Sequence, residues 1–192
     1  MIPYENWQYG LLFMRIIANR LLIKRPQPDS IQYEPSGIFL KYFRLMTILA
    51  LFLAFFIGIF LEHTYGIGKI HLPLLMLITG IILYALGLAL QIYSKNCLGK
   101  YYASRVIILK AHKVINTGPY RYIRHPGSLG AIATYLGIAL ATDNWLIGAL
   151  IILFTAVLYI YYIEKEERFL VKYLSAYKDY QKRTARLLPA IY

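Results

Sequence analysis

Charged residues in this chain gather into blocks, and the blocks alternate with long apolar runs. Residues 45–61 carry no charge and are bracketed by Arg44 and Glu62. That run predicts a first spanning helix, slightly short but extendable back through Phe39. Residues 72–93 are likewise uncharged and predict a second span, with Pro73 tolerated in its first turn. Two further apolar runs, 127–141 and 145–163, are separated only by Thr142-Asp143-Asn144. A connection that short predicts an antiparallel helical hairpin.

The remaining segments mix apolar and charged positions. Residues 7–25 interleave Leu11, Leu12, Phe13, Ile16, Ile17, Leu21 and Leu22 with Arg15, Arg20, Lys24 and Arg25. Two arginines inside the run make spanning costly, so an amphipathic helix lying in the membrane interface is expected. The linker 26–37 holds three prolines and reads as extended or turned. The tail, 164–192, alternates charges with Phe169, Leu170, Tyr173, Leu174, Tyr177 and Tyr180, which predicts an amphipathic helix ending near Pro189. Between the second and third runs, 94–126 is a basic connector with one apolar patch, 106–109, suited to a membrane surface.

The expected architecture is therefore all-α: a polytopic integral membrane protein with about four transmembrane helices, an interfacial N-terminal helix and a C-terminal amphipathic helix. One unit over 1–192 is expected, divided into 1–37, 38–93, 94–126, 127–163 and 164–192. Composition agrees, with 59% hydrophobic residues in 192. The formal charge of +12 raises the question of nucleic acid. The basic residues bracket apolar runs, however, which assigns them to topology and lipid headgroups instead. Six Lys and Arg precede or end at Arg44, seven lie in the connector and seven in the tail, against Lys69 alone in the opposite loops. The positive-inside rule then puts both termini and the connector in the cytoplasm. Cys97 is the only cysteine, which excludes an intramolecular disulfide and a cysteine-cluster metal site. No obligate protein partner is indicated; the expected partners are the bilayer and a lipophilic substrate.

Candidate chemistry concentrates at Gly118-Pro119-Tyr120-Arg121-Tyr122-Ile123-Arg124-His125-Pro126. Pro119 and Pro126 forbid a continuous helix, and Gly118 and Gly127 permit dihedrals that other residues avoid. A rigid bend bearing Tyr, two Arg and a His suits a ligand; it equally suits a basic interfacial loop that only fixes topology. Glu166 and Glu167 continue the fourth span toward the same face. At 100° per residue they diverge, so one of them at most is expected to meet the bend. Tyr162, Glu166, Phe169 and Tyr173 share one helical face. His112 and His125 lack the spacing of a metal pair, and no metal site is assigned.

The ordered series Leu98-Gly99, His112-Lys113-Val114-Ile115, GPYRYIRHP, Glu166-Glu167-Arg168-Phe169-Leu170, Tyr177 with Tyr180, and Arg186-Leu187-Leu188-Pro189 resembles the isoprenylcysteine carboxyl methyltransferase family. It is more distantly similar to the phospholipid N-methyltransferases. The resemblance covers residues 98–192. It implies S-adenosylmethionine as methyl donor and a lipid-like or prenylated acceptor entering from the bilayer. Cofactor contacts are implied for His112, Lys113, Val114, Ile115, Tyr120, His125, Pro126, Gly127, Ser128 and Glu166, with Glu166 and His125 as the catalytic pair and Tyr162 on the acceptor side. Two positions depart from the family's pattern: Ser128 replaces a Tyr, and Tyr162 replaces an Arg. A Tyr there offers a neutral donor and a π face where an Arg would suit a carboxylate. Two other readings stand beside this one, a nicotinamide-dependent membrane reductase of the sterol-reductase type and a membrane scaffold without activity.

Overall fold

A computed structural model describes residues 7–22, with side chains at 10–18 and 22, and residues 30–188. The elements are α1 (Trp7–Leu22), β1 (Ile31–Tyr33), α2 (Ile38–Tyr65), α3 (Leu74–Leu98), β2 (Ile108–Leu109), α4 (Pro126–Leu140), α5 (Trp145–Tyr173) and α6 (Ser175–Arg183). Helices α2, α3 and α5 are long and apolar enough to cross a bilayer. The chain is an all-α polytopic membrane protein. Lys24, Arg25, the first part of the 26–37 linker and Pro189 lie outside the described residues, as does the side chain of Arg20.

The expected third span, α4, is the exception in length. Its 15 residues rise about 22 Å, short of the ~30 Å hydrocarbon core. Pro126 fixes its start at N1, and the turn before Asn144 fixes its end. It runs between α3 and α5, so protein rather than lipid covers two of its sides. The bend before Pro126 is consequently recessed: α3 and α5 extend beyond it, to Leu98 and Tyr173.

The α3/α4 seam explains the close packing. In lipid the hydrophobic effect between helices is weak, and association relies on van der Waals contact between backbones. Gly80 and Gly87 on α3 face Gly137 and Gly130 on α4 in antiparallel register. A Cβ on Gly87 would lie 2.5 Å from the Gly130 carbonyl oxygen, and one on Gly137 would lie 2.5 Å from that of Gly80. No side chain fits there. Across the other face of α4, Gly148 of α5 sits against the Ala139 carbonyl, and α2 closes the far side of α5. At the end opposite the bend, Asn144 binds the loops together. Its Oδ1 accepts from the amides of Leu146 and Ile147, capping α5, and its Nδ2 donates to Glu62 at 2.7 Å.

Several expectations change. Helix α1 does not display all its arginines to water: Arg15 is 3% exposed, turned into the core beside Leu11 and Ala18. The linker contributes β1, which pairs antiparallel with β2. The apolar patch Val106, Ile107, Ile108 and Leu109 is buried within the protein rather than spread on a membrane surface. The second span starts after Pro73, which is the N-cap, and continues to Leu98, five residues into what reads as connector. The tail is not one helix. Helix α5 runs through the Glu164–Glu167 charges to Tyr173, breaks at the extended Leu174, and α6 ends at Arg183 before the chain turns back. Gly118 is left-handed at φ 57°, whereas Gly127 is an ordinary helical residue.

Candidate active site

The bend is held by the returning tail. The Arg124 amide donates to the Ala185 carbonyl at 2.9 Å and the His125 amide to that of Arg186 at 3.2 Å, while the Ala185 amide donates to Tyr122 at 3.0 Å. The Tyr180 hydroxyl of α6 donates to the Tyr120 carbonyl at 2.6 Å. Backbone groups left open by the two prolines are satisfied in this way, which makes the irregular segment rigid.

One carboxylate ties this junction together. Glu167 Oε1 accepts from Arg124 Nε at 2.6 Å and meets His125 Nε2 at 3.1 Å. Its Oε2 accepts from Gln181 at 3.2 Å and from Arg186 Nε at 3.1 Å. The Arg124 guanidinium also donates to the carbonyls of Gln181 and Thr184. Every lone-pair direction of Glu167 is thus engaged, and its side chain is 5% exposed.

Glu166 is different. Its Oε2 lies 3.2 Å from His125 Nδ1, its Oε1 accepts from the Tyr162 hydroxyl at 3.3 Å, and its side chain is 21% exposed. Both glutamates therefore meet His125, contrary to the helical-wheel expectation that one of them at most would. The reason is that the imidazole lies between them and presents a different nitrogen to each. A neutral imidazole donates from one nitrogen only, so two flanking carboxylates call for the imidazolium. Burial works against that charge, but hydrogen bonds and fields from Glu166 and Glu167 outweigh it, and His125 titrates above its ordinary value. The Tyr120 phenol is pushed up by burial and by the Glu166 charge, so it stays protonated.

Glu166 opens onto a cavity of about 250 Å³. The connector forms one wall, with His112, Lys113, Val114 and Ile115 along its irregular run. Tyr120, His125, Gly127 and Ser128 form the floor, and Tyr162 stands beside Glu166. Of the site residues read from sequence, only Pro126 is not on the lining; it is buried behind it as the first residue of α4. His112 is locked as an acceptor: its Nδ1 takes the Leu109 amide at 3.2 Å and its ring stacks on Tyr101. Burial lowers its pKa, in keeping with that neutral form. Among the described residues no cluster of three His, Cys, Asp or Glu could hold a metal ion.

The sequence profile of the phospholipid methyltransferases matches residues 75–177. The chain belongs to the phospholipid methyltransferase family. That match runs from α3 through the bend and hairpin into α6, and so includes most of the cavity wall. The cobalt-zinc-cadmium resistance protein CzcN of Cupriavidus metallidurans is 26% identical over 106 residues, 55% of this chain and 47% of that protein. The chain thus spans about half the length of the curated relative it matches. Its fold is similar to that of the eukaryotic intramembrane Ras methyltransferase ICMT (isoprenylcysteine carboxyl methyltransferase), with a TM-score of 0.56 and 18% identity. The superposition covers 100% of this chain and 69% of the other. At that identity the likeness is one of fold.

Sequence reasoning missed two groups of residues at the site of this family member, one on the cavity lining and one behind it. Arg15 and Arg44 reach the lining from α1 and α2, outside the family match, and Gln91, Tyr135 and Tyr159 come from mid-helix. A polar Gln91 inside an otherwise apolar span was the available signal. The second group is the Glu167 clamp, whose partners Gln181 and Arg186 are set only by the tail's reversal.

Proposed function

We propose that the protein is a membrane-embedded S-adenosylmethionine-dependent methyltransferase acting on a lipid-like or prenylated acceptor, with residues 1–192 working as one unit. The observation that carries this reading is the pairing inside one cavity of an accessible carboxylate, Glu166, with tyrosines and an irregular connector on one side and membrane-depth apolar helices on the other. Family membership supports methyl transfer as the chemistry.

The lining fits the donor. Glu166 keeps lone pairs toward the cavity, because only His125 and Tyr162 engage it, whereas Glu167 has none to spare. A carboxylate flanked by tyrosine faces suits a cationic group through charge and cation–π attraction. The backbone of 112–115 and of the His125–Ser128 turn offers hydrogen-bonding groups to a nucleoside and an amino acid. When bound, S-adenosylmethionine supplies a methyl group activated on a sulfonium. The residues align and exclude water, the main requirements of an in-line displacement. A carboxylate acceptor needs no base; an amine acceptor must first release a proton. A phospholipid N-methyltransferase is consistent with the same site. Positive-inside charge supports a cytoplasmic location for the site and both termini.

The test is incubation of the purified protein with methyl-labelled S-adenosylmethionine and total membrane lipid. A labelled lipid whose formation needs Glu166 supports the reading. No labelled lipid, or stabilisation by NADPH and not by S-adenosylhomocysteine, contradicts it.

A further inference from the structure

Two arginines end in the cavity with no acidic partner among the described residues. Arg15 of α1 donates from Nη1 to Gln91 Oε1 at 3.0 Å and from Nη2 to the Tyr135 hydroxyl at 3.3 Å. Its guanidinium carbon is 4.7 Å from the Tyr135 ring centroid, and its Nε has no partner among the described residues. Arg44 of α2 donates from Nη2 to the Tyr102 hydroxyl at 2.7 Å, and that hydroxyl donates onward to the Leu22 carbonyl at 2.8 Å. Arg44 Nη1 is buried and has no hydrogen-bond partner among the described residues. Among the described residues, three buried side-chain nitrogens or oxygens lack a hydrogen bond, and two of them belong to these cavity-lining arginines.

Neither arginine has a carboxylate within ion-pair distance among the described residues. The nearby glutamates pair with other groups, Glu166 with His125 and Glu167 with Arg124 and Arg186, and neither forms an ion pair with Arg15 or Arg44. Neutral dipoles from Gln91, Tyr135 and Tyr102 orient the two guanidinium groups but leave their charge uncompensated. A charge in that state at membrane depth is costly unless a ligand supplies the counter-ion. The planar fork of arginine matches two geometries above others, carboxylate and phosphate. The depth is also informative. Tyr135 lies about 14 Å further along α4 than Pro126, and Leu22, Leu40, Phe43 and Ala131 line the same space. An anionic group beside apolar walls describes one end of a lipid.

We propose that Arg15 and Arg44 bind the anionic oxygen group, a phosphate ester or a carboxylate, of the lipophilic acceptor. This rests on the methyltransferase reading for the word acceptor, but the anion site stands on the arginines alone. They lie in α1 and α2, outside the family match, and on this proposal they determine specificity for the acceptor.

The full chain, purified in dodecyl maltoside, is titrated with two probe pairs and followed by thermal unfolding. One pair is N-acetyl-S-farnesylcysteine and its carboxamide; the other is 1-oleoyl-lysophosphatidic acid and 1-oleoylglycerol. The anionic member of at least one pair should stabilise the protein while its neutral partner does not, and the responding pair tells carboxylate from phosphate. Arg44→Gln should bind that probe about tenfold more weakly, Arg44→Lys should recover part of the loss, and Arg15→Lys should fall between. S-adenosylhomocysteine should stabilise all of them equally, which certifies the fold. Equal response to charged and neutral probes, no response to either pair, or undiminished binding by Arg44→Gln would overturn the proposal. If S-adenosylhomocysteine fails to bind the unmodified chain, the methyltransferase reading falls while the lipid titrations still decide the anion site.

Discussion

The α3/α4 seam and the α5/bend junction hold the same cavity by opposite means. At the seam, Gly80, Gly87, Gly130 and Gly137 bring backbones together with no charge and no side chain between them. At the junction, Glu167 gathers Arg124, His125, Gln181 and Arg186 around one buried carboxylate. The first arrangement relies on shape and tolerates no added atoms. The second relies on charge balance, and it tolerates changes of size better than changes of charge. Between them sits Pro126, pinned by the seam on one side and by the clamped bend on the other.

That contrast is breakable, and the seam should break hardest. Gly130→Leu places a side chain where a Cβ alone meets the Gly87 carbonyl at 2.6 Å. The cost should exceed the ~1–3 kcal/mol usual for overpacking, because backbone cannot move aside. Size-exclusion chromatography in detergent should recover little monodisperse protein; a well-behaved variant would show that the seam is looser than described.

Glu167→Gln should come next. It keeps the volume but leaves Arg124, Arg186 and the imidazolium short of an anion, at a cost of about 3 kcal/mol. A lowered unfolding midpoint in detergent checks this. If Glu166→Gln were equally destabilising, the distinction between clamp and ligand carboxylate would fail. Glu166→Gln should instead stay within about 1 kcal/mol of the parent.

The smallest effect is a pH slope. His125 is raised above its ordinary value by Glu166 and Glu167 against the opposing effect of burial. The stability its charge contributes is therefore fully present below about pH 6.5 and fades as pH rises through the folded-state value. Unfolding midpoints should decline over that range, and His125→Gln should flatten the decline. An unchanged slope in the variant would assign the titration to another group.

The two regions also differ in how far the sequence announces them. Apolar runs are long-range patterns, so α2, α3 and α5 were legible, as was the hairpin around Thr142-Asp143-Asn144. The bend was legible because Pro119 and Pro126 have few structural options. The Glu167 clamp was not, since it depends on the break at Leu174 and on a short parallel bridge between Ile123 and Ala185. Nothing in the local pattern of the tail specifies that reversal. Arg15 was misjudged for a related reason. An arginine in an amphipathic helix is normally solvated, and only the distant Gln91 and Tyr135 make a buried position tolerable.

The most direct test of the account is the affinity for S-adenosylhomocysteine, measured by calorimetry on the parent and on Glu166→Gln at matched folded fraction. The account predicts binding by the parent and at least about tenfold weaker binding by the variant, with the unfolding midpoint nearly unchanged. Equal affinities, or an affinity that falls only in step with lost stability, would contradict the assignment of Glu166 to the cofactor.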